Sequence, residues 1–444
     1  MSSPHNQSAS PARVAAWKRL SRLRHGLAEA ISTDPRERAL EQRFVLGILR
    51  NLSVIDALIE DSGLVDRHKT PEPVGWVIRL AVFEKIFQAG APDYAIGQQA
   101  VALARIAGKD PAGRFVNYVV RRLLPKLPAS PEALAADPFV AGLSEEVRLS
   151  IPRPVLLALT GGYGESGLPV ARALAAAEAP LWLRINMLKT SAAEIAATGL
   201  PVEPGPLPES VRWVGEVERP WSTEPWMRGE LTVQDLGAML AARLLDPAPG
   251  SRVADLCAAP GGKTGHLWEL MDGQGRLVAA EVDPVRRNLL AESLGRLYGP
   301  EAGIELAGDL TAGADASFSR VLVDAPCQAL GLIARHPEAR WDNRLKQREP
   351  VLRTQRQVLE QASAWVAPGG RLLWVTCSPT RAENESIVGP WLADHPGWQL
   401  LDPTPILAQI GATAWTRIEE GFVRTRPDLV PCDGFALALI ERTG

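Results

Sequence analysis

Two cysteines of this sequence stand where a reactive thiol would be expected. Cys327 follows the apolar run VLVDAP and Cys377 follows LLWVT, and both runs are typical of buried strands. In open α/β sheets the residues just past the carboxyl ends of the strands line the ligand crevice, so both thiols are expected in one place. A single cysteine at such a position is usually a small buried hydrophobe. Two of them favour a thiolate nucleophile, which becomes strong when nearby N–H donors or cations lower its pKa.

A cysteine nucleophile beside an acid could methylate cytosine at carbon 5. That carbon is a poor nucleophile, but a thiolate that adds to carbon 6 makes the ring enamine-like and able to take a methyl group from a sulfonium. The reaction also needs an acid near N3 and the exocyclic amine, and a base that removes the carbon 5 proton. Asp324, in Asp-Ala-Pro-Cys, is placed for the acid, although a polar residue can also simply close a strand. The target base would have to leave its stack to reach either thiol.

The methyl donor is indicated by the stretch Arg252–Met271, which reads as a short strand, a turn of small residues and a helix. Glycines let the backbone approach a ligand, and a helix N-terminus offers free N–H donors. A P-loop would explain the Gly-Lys-Thr at 262–264, but Cys257 stands at its first glycine, and the dinucleotide fingerprint is absent. S-adenosylmethionine is the third alternative. It gains support from Leu277–Asp283, an apolar run with Glu281 at about 20 residues onward, the usual offset of a ribose-binding acid.

The elements that must position these residues alternate between strands and helices. Further strands are predicted at Ile304–Ala307, Arg320–Val323 and Leu372–Val375, with a helix over Pro350–Trp365. This alternation predicts a doubly wound, Rossmann-like α/β sheet from residue 231 to the end of the chain.

The sequence before this sheet predicts a different architecture. A strand over Leu181–Ile185 and many prolines predict a small α+β lobe at 155–230, and the Pro- and Ala-rich residues 131–154 are typical of a linker. Residues 1–130 show helical periodicity without strand signals, so an all-α domain is expected. Its predicted helices are Ala12–Ile31, Pro35–Ile59, Pro73–Gln88, Tyr94–Ala107 and Ala112–Leu127.

Composition narrows the class of protein. No span is apolar enough to cross a membrane, no secretory signal is evident, and the four cysteines are far apart. We therefore expect a cytoplasmic protein without a zinc site or disulfides, and nothing in the sequence indicates an obligate oligomer. The net charge is −3, but residues 1–127 carry 19 Arg and Lys against 12 Asp and Glu. That asymmetry is compatible with a polyanion-binding module or with an ordinary solvated surface.

Several motifs resemble known families. DLCAAPGGKTGH, VLVDAPCQALGLIARHPEARW, WVTCSPTRAENESIV and the DGF at Asp433–Phe435 resemble the RNA cytosine-5 methyltransferases, over a region from about Val155 to the C-terminus. RINMLK and VQDLGAML resemble the RNA-binding segments that precede that family's catalytic domain. RERALEQRFVLGILRNLSVIDALI and RFVNYVVRRLL resemble the NusB antitermination factor domain. Together they resemble the RsmB (Sun/Fmu) type of bacterial small-subunit ribosomal RNA methyltransferase.

The resemblance implies a role for each matching position. Glu281 would bind the ribose of S-adenosylmethionine, Asp309 its adenine side, and Asp324 would lie where cofactor and target base meet. Cys377 would attack carbon 6 and Cys327 would assist release, since the Glu-Asn-Val of the DNA enzymes, which use the Pro-Cys cysteine, is absent. The turn that would line the cofactor comprises Cys257, Ala258, Ala259, Pro260, Gly261, Gly262 and Lys263. The residues expected on the RNA side are Arg184, Lys189, Arg335 and Arg340.

Some positions depart from the family's pattern. Glu281 replaces the usual Asp, and Gln328, Leu330 and Ala334 replace the usual Ser, Thr and Arg. Gln328 and Ala334 border the expected base and RNA path, so they bear on target choice and rate. The sequence thus predicts a methyltransferase that makes 5-methylcytosine in ribosomal RNA. Its rivals are the same chemistry on transfer RNA, a P-loop ATPase, and a non-catalytic RNA-binding or ribosome assembly factor.

Overall fold

The computed structural model describes residues 8–23, 27, 29–88, 90–176, 179–215, 219–309, 316–342 and 345–443. The chain forms two compact units. The first comprises Met1–Leu157 together with His336–Arg344, and the second comprises Ala158–Arg335 with Leu345–Gly444. This division differs from the expected one, because residues 131–154 are not a linker. Leu134 and Val140 in that segment are buried in the core of the first unit.

The regular structure of the described residues of the first unit is helical. Its core combines Phe44, Ile48, Val77, Phe83 and Val120, which recur at helical spacing and are almost fully buried. The helices are α1 Pro11–Leu20, α2 Pro35–Arg50, α3 Leu52–Asp61, α4 Glu72–Phe87, α5 Asp93–Leu123, α6 Pro131–Ala135, α7 Pro138–Ala141 and α8 Glu145–Arg148.

Four of the five predicted helices differ from the observed ones by more than one residue. The first was expected to reach Ile31 but α1 ends at Leu20, and residues 24–26 and 28 lie outside the described part. The second divides into α2 and α3 because Asn51 is non-helical, with φ −120° and ψ 14°. The last two predicted helices form one run, α5, which is kinked at Gly108 and Lys109. The kink falls between the two predicted segments, where Lys109 has φ 64°.

The second unit begins with α9 Arg153–Tyr163, which spans the unit boundary, and α10 Gly167–Ala176. A four-stranded antiparallel sheet of order β2-β3-β1-β4 follows among the described residues, as expected for a small α+β lobe. Its elements are β1 Leu181–Ile185, α11 Ala192–Ala197, β2 Val202–Pro204, β3 Ser210–Trp213, α12 Glu224–Met227 and β4 Leu231–Val233.

A large mixed sheet forms the centre of the second unit. The strands run in the order β11-β12-β13-β9-β8-β5-β6-β7, with β10 beside β13. Strands β9, β8, β5, β6 and β7 are parallel, and β13 is antiparallel to β9. The strands are β5 Arg252–Leu256, β6 Arg276–Ala280, β7 Glu305–Ala307, β8 Phe318–Asp324, β9 Val366–Thr376, β10 Trp398–Leu400, β11 Thr416–Glu419, β12 Phe422–Thr425 and β13 Ala436–Arg442.

Helices cover both faces of this sheet, so its strands are buried on each side. Leu277 and Leu373 pack into one core, whereas Val278 and Leu372 pack into the other. The doubly wound, Rossmann-like prediction is therefore correct, and near-continuous apolar strands are its expected signature. The helices are α13 Leu236–Leu245, α14 Gly262–Leu270, α15 Pro284–Tyr298, α16 Arg348–Ser363, α17 Glu385–Asp394 and α18 Thr404–Gln409.

Candidate active site

The strand order reverses between β5 and β8, which are neighbours although β6 and β7 come between them in sequence. In open α/β sheets a crevice opens at the carboxyl ends of the strands at such a switch point. Here the turn after β5, Glu281 after β6, Asp324 at the end of β8 and Cys377 after β9 lie at that edge. The topology therefore gathers the residues that the sequence predicts for cofactor and catalysis.

The turn after β5 has a backbone that lets a ligand approach closely. Cys257 has φ 71° and Gly261 has φ 104°, both in the left-handed region. A Cβ on Gly261 would lie 3.0 Å from Leu290 Cδ1, so a larger residue would be both strained and crowded. Ala258 is anchored by donating its N–H to the carbonyl of Ala280 at 2.9 Å. The first residues of α14 follow at once, and their N–H groups have no partner within the helix.

Glu281 has an unsatisfied oxygen of the kind that a cofactor hydroxyl would fill. The residue is buried, and its Oε1 accepts a hydrogen bond from the Asp283 N–H at 3.1 Å. Its Oε2 is buried without a hydrogen-bond partner among the described residues, with Arg286 Nη1 at 3.5 Å. Buried carboxylate oxygens normally have partners, so this one is suited to a ribose hydroxyl. Asp309, expected near the adenine, follows β7 and is exposed.

Asp255 lies in the same region but has no role in the predicted site. Burial raises the pKa of its carboxyl to about 7, and the nearby Asp324 acts in the same direction. Its Oδ2 accepts a hydrogen bond from Thr264 Oγ1 at 2.6 Å, and its Oδ1 is buried without a partner in the described structure. The signal that could have identified it is an acid in the otherwise apolar strand RVADL.

Lys263 is paired with the predicted catalytic acid. Its Nζ lies 2.6 Å from Asp324 Oδ2. Burial alone would lower the pKa of Lys263, but the Asp324 carboxylate and the Cys377 side chain together raise it above its ordinary value. The ammonium group therefore stays charged in its pair with the predicted acid. Lys263 was expected only to line the cofactor, and the structure adds this ion pair.

The two strand-end cysteines are in contact. Their sulfur atoms are 3.1 Å apart, and both residues are free thiols that are only partly exposed. The hydrogen bond with Cys377, together with burial, raises the pKa of Cys327 well above its usual range. Cys327 is thus held in the protonated form and can donate its S–H to the Cys377 sulfur.

A buried glutamate links the loops that carry the two cysteines. Glu383 accepts a hydrogen bond from the backbone N–H of Gln328 at 2.7 Å, one residue after Cys327. It also accepts from the hydroxyl of Ser378, one residue after Cys377, and from Thr380 Oγ1 at 3.0 Å. The motif WVTCSPTRAENESIV contains this residue, but the sequence alone assigned it no role. Because Glu383 bonds to both loops, it fixes the position of one cysteine relative to the other.

Comparison with known proteins identifies the family. A family model described as 16S rRNA methyltransferase RsmB/F matches residues 242–441, and a NusB family model matches residues 6–125. The ribosomal RNA small subunit methyltransferase B of Xylella fastidiosa is 32% identical over 381 residues, which are 84% of this chain and 86% of the relative. This chain belongs to the ribosomal RNA small subunit methyltransferase B family. A probable member from Bacillus subtilis is 28% identical and covers 92% of this chain and 91% of its own length.

A solved structure agrees with that family. A methyltransferase homolog protein from Pyrococcus horikoshii matches with a TM-score of 0.54 and 27% identity, over 69% of this chain and 99% of that chain. The expected family, NusB-like domain, Rossmann-like methyltransferase fold and S-adenosylmethionine cofactor are therefore confirmed. The P-loop alternative is wrong, because the glycine turn that it shares belongs here to a methyltransferase.

The residues expected on the RNA side are mostly not available to RNA. Arg184 is fully buried, with Nε 3.0 Å from Glu269 Oε2 and Nη1 donating to the carbonyl of Gly262 at 2.7 Å. It therefore supports the cofactor turn from behind, and the expectation that it contacts RNA is wrong. Lys189 is exposed, and its Nζ donates to the carbonyl of Arg228 at 2.7 Å. Of the four expected residues, Lys189 has the most exposed side chain.

Arg335 and Arg340 also have structural partners. Arg335 Nε lies 2.7 Å from Asp433 Oδ2 and its Nη2 lies 3.0 Å from Asp235 Oδ2, so its charge is already neutralised. Arg340 belongs to the first unit, is almost fully buried, and donates to the carbonyl of Leu149 at 3.2 Å. Burial lowers its pKa to about 9. An RNA role for Arg340 is wrong for the same reason as for Arg184, since both guanidinium groups are enclosed by protein.

Within the described ranges, no group of three or more His, Cys, Asp or Glu side chains is arranged to hold a metal ion. No described helix is both long and apolar enough to cross a bilayer.

Proposed function

We propose that this enzyme transfers a methyl group to carbon 5 of a cytosine in small-subunit ribosomal RNA, with Cys377 as the nucleophile. The observation that carries the proposal is the contact between two thiols at the ends of β8 and β9, with 3.1 Å between their sulfur atoms. A lone structural cysteine needs no such partner, whereas addition and elimination at carbon 6 need both a nucleophile and a proton donor. The names of the relatives supply the class of RNA.

S-adenosylmethionine would supply the methyl group as an electrophilic sulfonium. The residues that would hold it are the turn from Cys257 to Lys263 and the carboxylate of Glu281. The unsatisfied Oε2 of Glu281 supports this assignment, because a ribose hydroxyl would complete its hydrogen bonding. The proposed place of Asp309 on the adenine side is compatible with its exposure after β7.

The first chemical step would be addition of the Cys377 thiolate to carbon 6 of the cytosine. Electron density then moves toward N3, where Asp324 is the proposed acid, and carbon 5 becomes able to take the methyl group. The ion pair with Lys263 fixes the Asp324 carboxylate, and the Lys263 ammonium, 2.6 Å away, would supply the proton that Asp324 passes to N3. Fixed charges that are already oriented lower the barrier without reorganising during the reaction.

The second step would be elimination of the product. A base removes the carbon 5 proton, N3 gives its proton back to Asp324, the bond between carbon 6 and sulfur breaks, and its electron pair remains on Cys377. The proposed role of Cys327 is to donate its S–H to the departing sulfur. Its raised pKa supports this role, because it keeps the thiol protonated at neutral pH. We further infer that the enzyme acts in the cytoplasm as a monomer and without a metal ion.

The test is bisulfite sequencing of total RNA from cells with and without this gene, complemented with the wild type or with Cys377→Ala. Loss of one protected cytosine in small-subunit ribosomal RNA, restored by the wild type alone, is the expected result. Loss of a protected cytosine from transfer RNA instead would support the same reaction on a different RNA substrate. An unchanged methylation pattern would refute the proposal and favour the assembly factor.

A further inference from the structure

The second half of α5 and the turn after it carry positive charge without any acid. From Pro111 to Pro131 the sequence has no Asp or Glu, but it has four cations, which are Arg114, Arg121, Arg122 and Lys126. All four are exposed. A local excess of this size stands out because the whole chain carries a net charge of −3.

The helix places these cations on its solvent side. Residues three, four, seven and eight apart lie on one face of an α-helix, and Arg114, Tyr118, Arg121 and Arg122 have this spacing. The opposite side, including Val116, is buried in the core of the first unit. Tyr118 is 48% exposed, and the guanidinium carbon of Arg122 lies 4.0 Å from its ring centroid. We name Arg114, Tyr118, Arg121, Arg122 and Lys126 the basic stripe.

The charges of the basic stripe are not neutralised by neighbouring carboxylates. Other cations of the same unit are ion-paired, for example Arg13 with Glu84 and Lys85 with Asp93. Among the described residues, no carboxylate lies within ion-pair distance of the four stripe cations. The stripe therefore presents an uncompensated positive field to the solvent.

Compensation of the helix dipole does not account for the stripe. Cations favour a helix C-terminus only within its last turn. Arg114 lies more than two turns before the end of α5 at Leu123, and an exposed tyrosine contributes nothing to the dipole. A second explanation is therefore needed for the part of the stripe that precedes the last turn.

We propose that the basic stripe is a docking surface for the phosphate backbone of the RNA substrate, with the Tyr118 ring available to stack on an unpaired base. The proposal rests on the proposed function, because it presumes an RNA substrate. Arginines bind phosphate through two parallel hydrogen bonds, and the two outer arginines are roughly 12 Å apart at 1.5 Å per residue, enough to follow a strand. Cations interleaved with an exposed aromatic ring are typical of single-stranded RNA sites, whereas an acidic protein surface would need only the charges.

The test compares two triple variants of the full chain that lose the same charge from the same unit. The stripe variant is Arg114→Gln, Arg121→Gln and Arg122→Gln. The matched control is Lys18→Gln, Arg36→Gln and Arg43→Gln, which are exposed cations of α1 and α2. Binding to a small-subunit ribosomal RNA transcript is measured by fluorescence anisotropy at several salt concentrations, and methyl transfer to the same transcript is measured in parallel. Circular dichroism checks that both variants are folded.

The stripe variant is expected to bind on the order of ten-fold more weakly than the control. Its plot of log binding constant against log salt concentration should be less steep by roughly 2, because each lost phosphate contact removes about 0.7 from the slope. Its KM for RNA should rise while kcat at saturating RNA is retained. Tyr118→Leu should weaken binding with no change in the salt slope. If the wild type methylates the transcript but the stripe variant matches the control, the docking proposal alone is refuted, which leaves an acidic protein as the occupant. If the wild type neither binds nor methylates RNA, the proposed function fails with it.

Discussion

At the scale of single residues, Cys327 holds its proton firmly beside the sulfur of Cys377. Cys377 and burial raise the pKa of Cys327 well above the usual range of a thiol. The proton on Cys327 can then bridge the 3.1 Å between the two sulfur atoms. The proton retained on Cys327 supports its assignment as the proton donor during release, which leaves Cys377 as the proposed nucleophile.

Replacement of Cys327 by alanine should separate addition from release. Without the S–H donor, the departing sulfur is stabilised poorly, so Cys327→Ala is expected to accumulate a covalent complex with methylated RNA. The complex is measured as a band of reduced mobility on denaturing gels after incubation with S-adenosylmethionine and RNA. The double variant Cys327→Ala/Cys377→Ala is the control and should give no band. A single variant that turns over at the wild-type rate would contradict the role.

Asp255 should make stability depend on pH. Its pKa of about 7 in the folded protein exceeds the value of about 4 expected when unfolded. The folded state therefore binds this proton more tightly than the unfolded state does. The stability that protonated Asp255 contributes is fully present below pH 4 and is lost as the pH rises to 7. Relative to the wild type, Asp255→Asn should gain stability over this range by up to roughly 1.4 kcal/mol per pH unit.

The measurement is urea unfolding of both proteins at pH 5, 6, 7 and 8. The difference in free energy of unfolding should widen to pH 7 and then become constant. A difference that stays the same from pH 5 to 8 would show that Asp255 is ionised in the folded protein throughout this range.

At the scale of elements, Glu383 connects the loop after β8 with the loop after β9. One carboxylate oxygen accepts from the Gln328 N–H and from Gln355 Nε2, and the other accepts from the hydroxyls of Ser378 and Thr380. Because the acceptors are all on one side chain, neither loop can shift without breaking hydrogen bonds to the other. We infer that Glu383 positions both thiols without touching the substrate.

Glu383→Gln should therefore lower the rate of methyl transfer while RNA affinity is unchanged. The amide nitrogen replaces one acceptor oxygen, so either the Gln328 N–H and Gln355 Nε2 lose their acceptor or the two hydroxyls must turn to accept, at a cost of about 1–3 kcal/mol in stability. The measurements are single-turnover methyl transfer, RNA binding, and the yield of covalent complex in a Cys327→Ala background. Glu349→Gln, at an exposed position of α16, is the control. A loss of stability with normal transfer by the folded fraction would assign Glu383 a structural role only.

At the scale of the whole molecule, the first unit is completed by a segment from far along the chain. Residues His336–Arg344 belong to it, and within that segment Trp341 Nε1 donates to the carbonyl of Leu49 at 2.8 Å. The buried Arg340 donates to the carbonyl of Leu149 at 3.2 Å. The two units are therefore not successive in sequence.

Arg340→Ala is expected to destabilise the protein by about 2 kcal/mol, because it leaves buried carbonyls without their donor. Urea unfolding followed by tryptophan fluorescence measures the change, with the exposed Arg348→Ala as the control. Methylated RNA yield from the folded protein should be unaffected. Normal stability together with weaker RNA binding would contradict the structural role and indicate that Arg340 contacts RNA.

The sequence predicted the catalytic sheet well, because each parallel strand is a short apolar run followed by a polar or small residue. The motifs at Cys257, Asp324 and Cys377 therefore predicted where these strands end and that the three residues lie at one edge of the sheet. The burial of Arg184 and Arg340 could not be predicted in this way. Arg184 is buried by Glu269, 85 residues away, and Arg340 by Leu149, 191 residues away. Burial by such distant partners leaves no local pattern in sequence.

Formation of the covalent bond between Cys377 and cytosine is the step on which the proposed mechanism depends. Its most direct test is incubation of the wild type with S-adenosylmethionine and RNA that contains 5-fluorocytidine, whose fluorine prevents removal of a carbon 5 proton and so traps the adduct. Protease digestion and mass spectrometry then identify the modified peptide. We predict a nucleotide adduct on Cys377. An adduct on Cys327, or methyl transfer to unmodified RNA with no adduct on the fluorinated one, would contradict the mechanism.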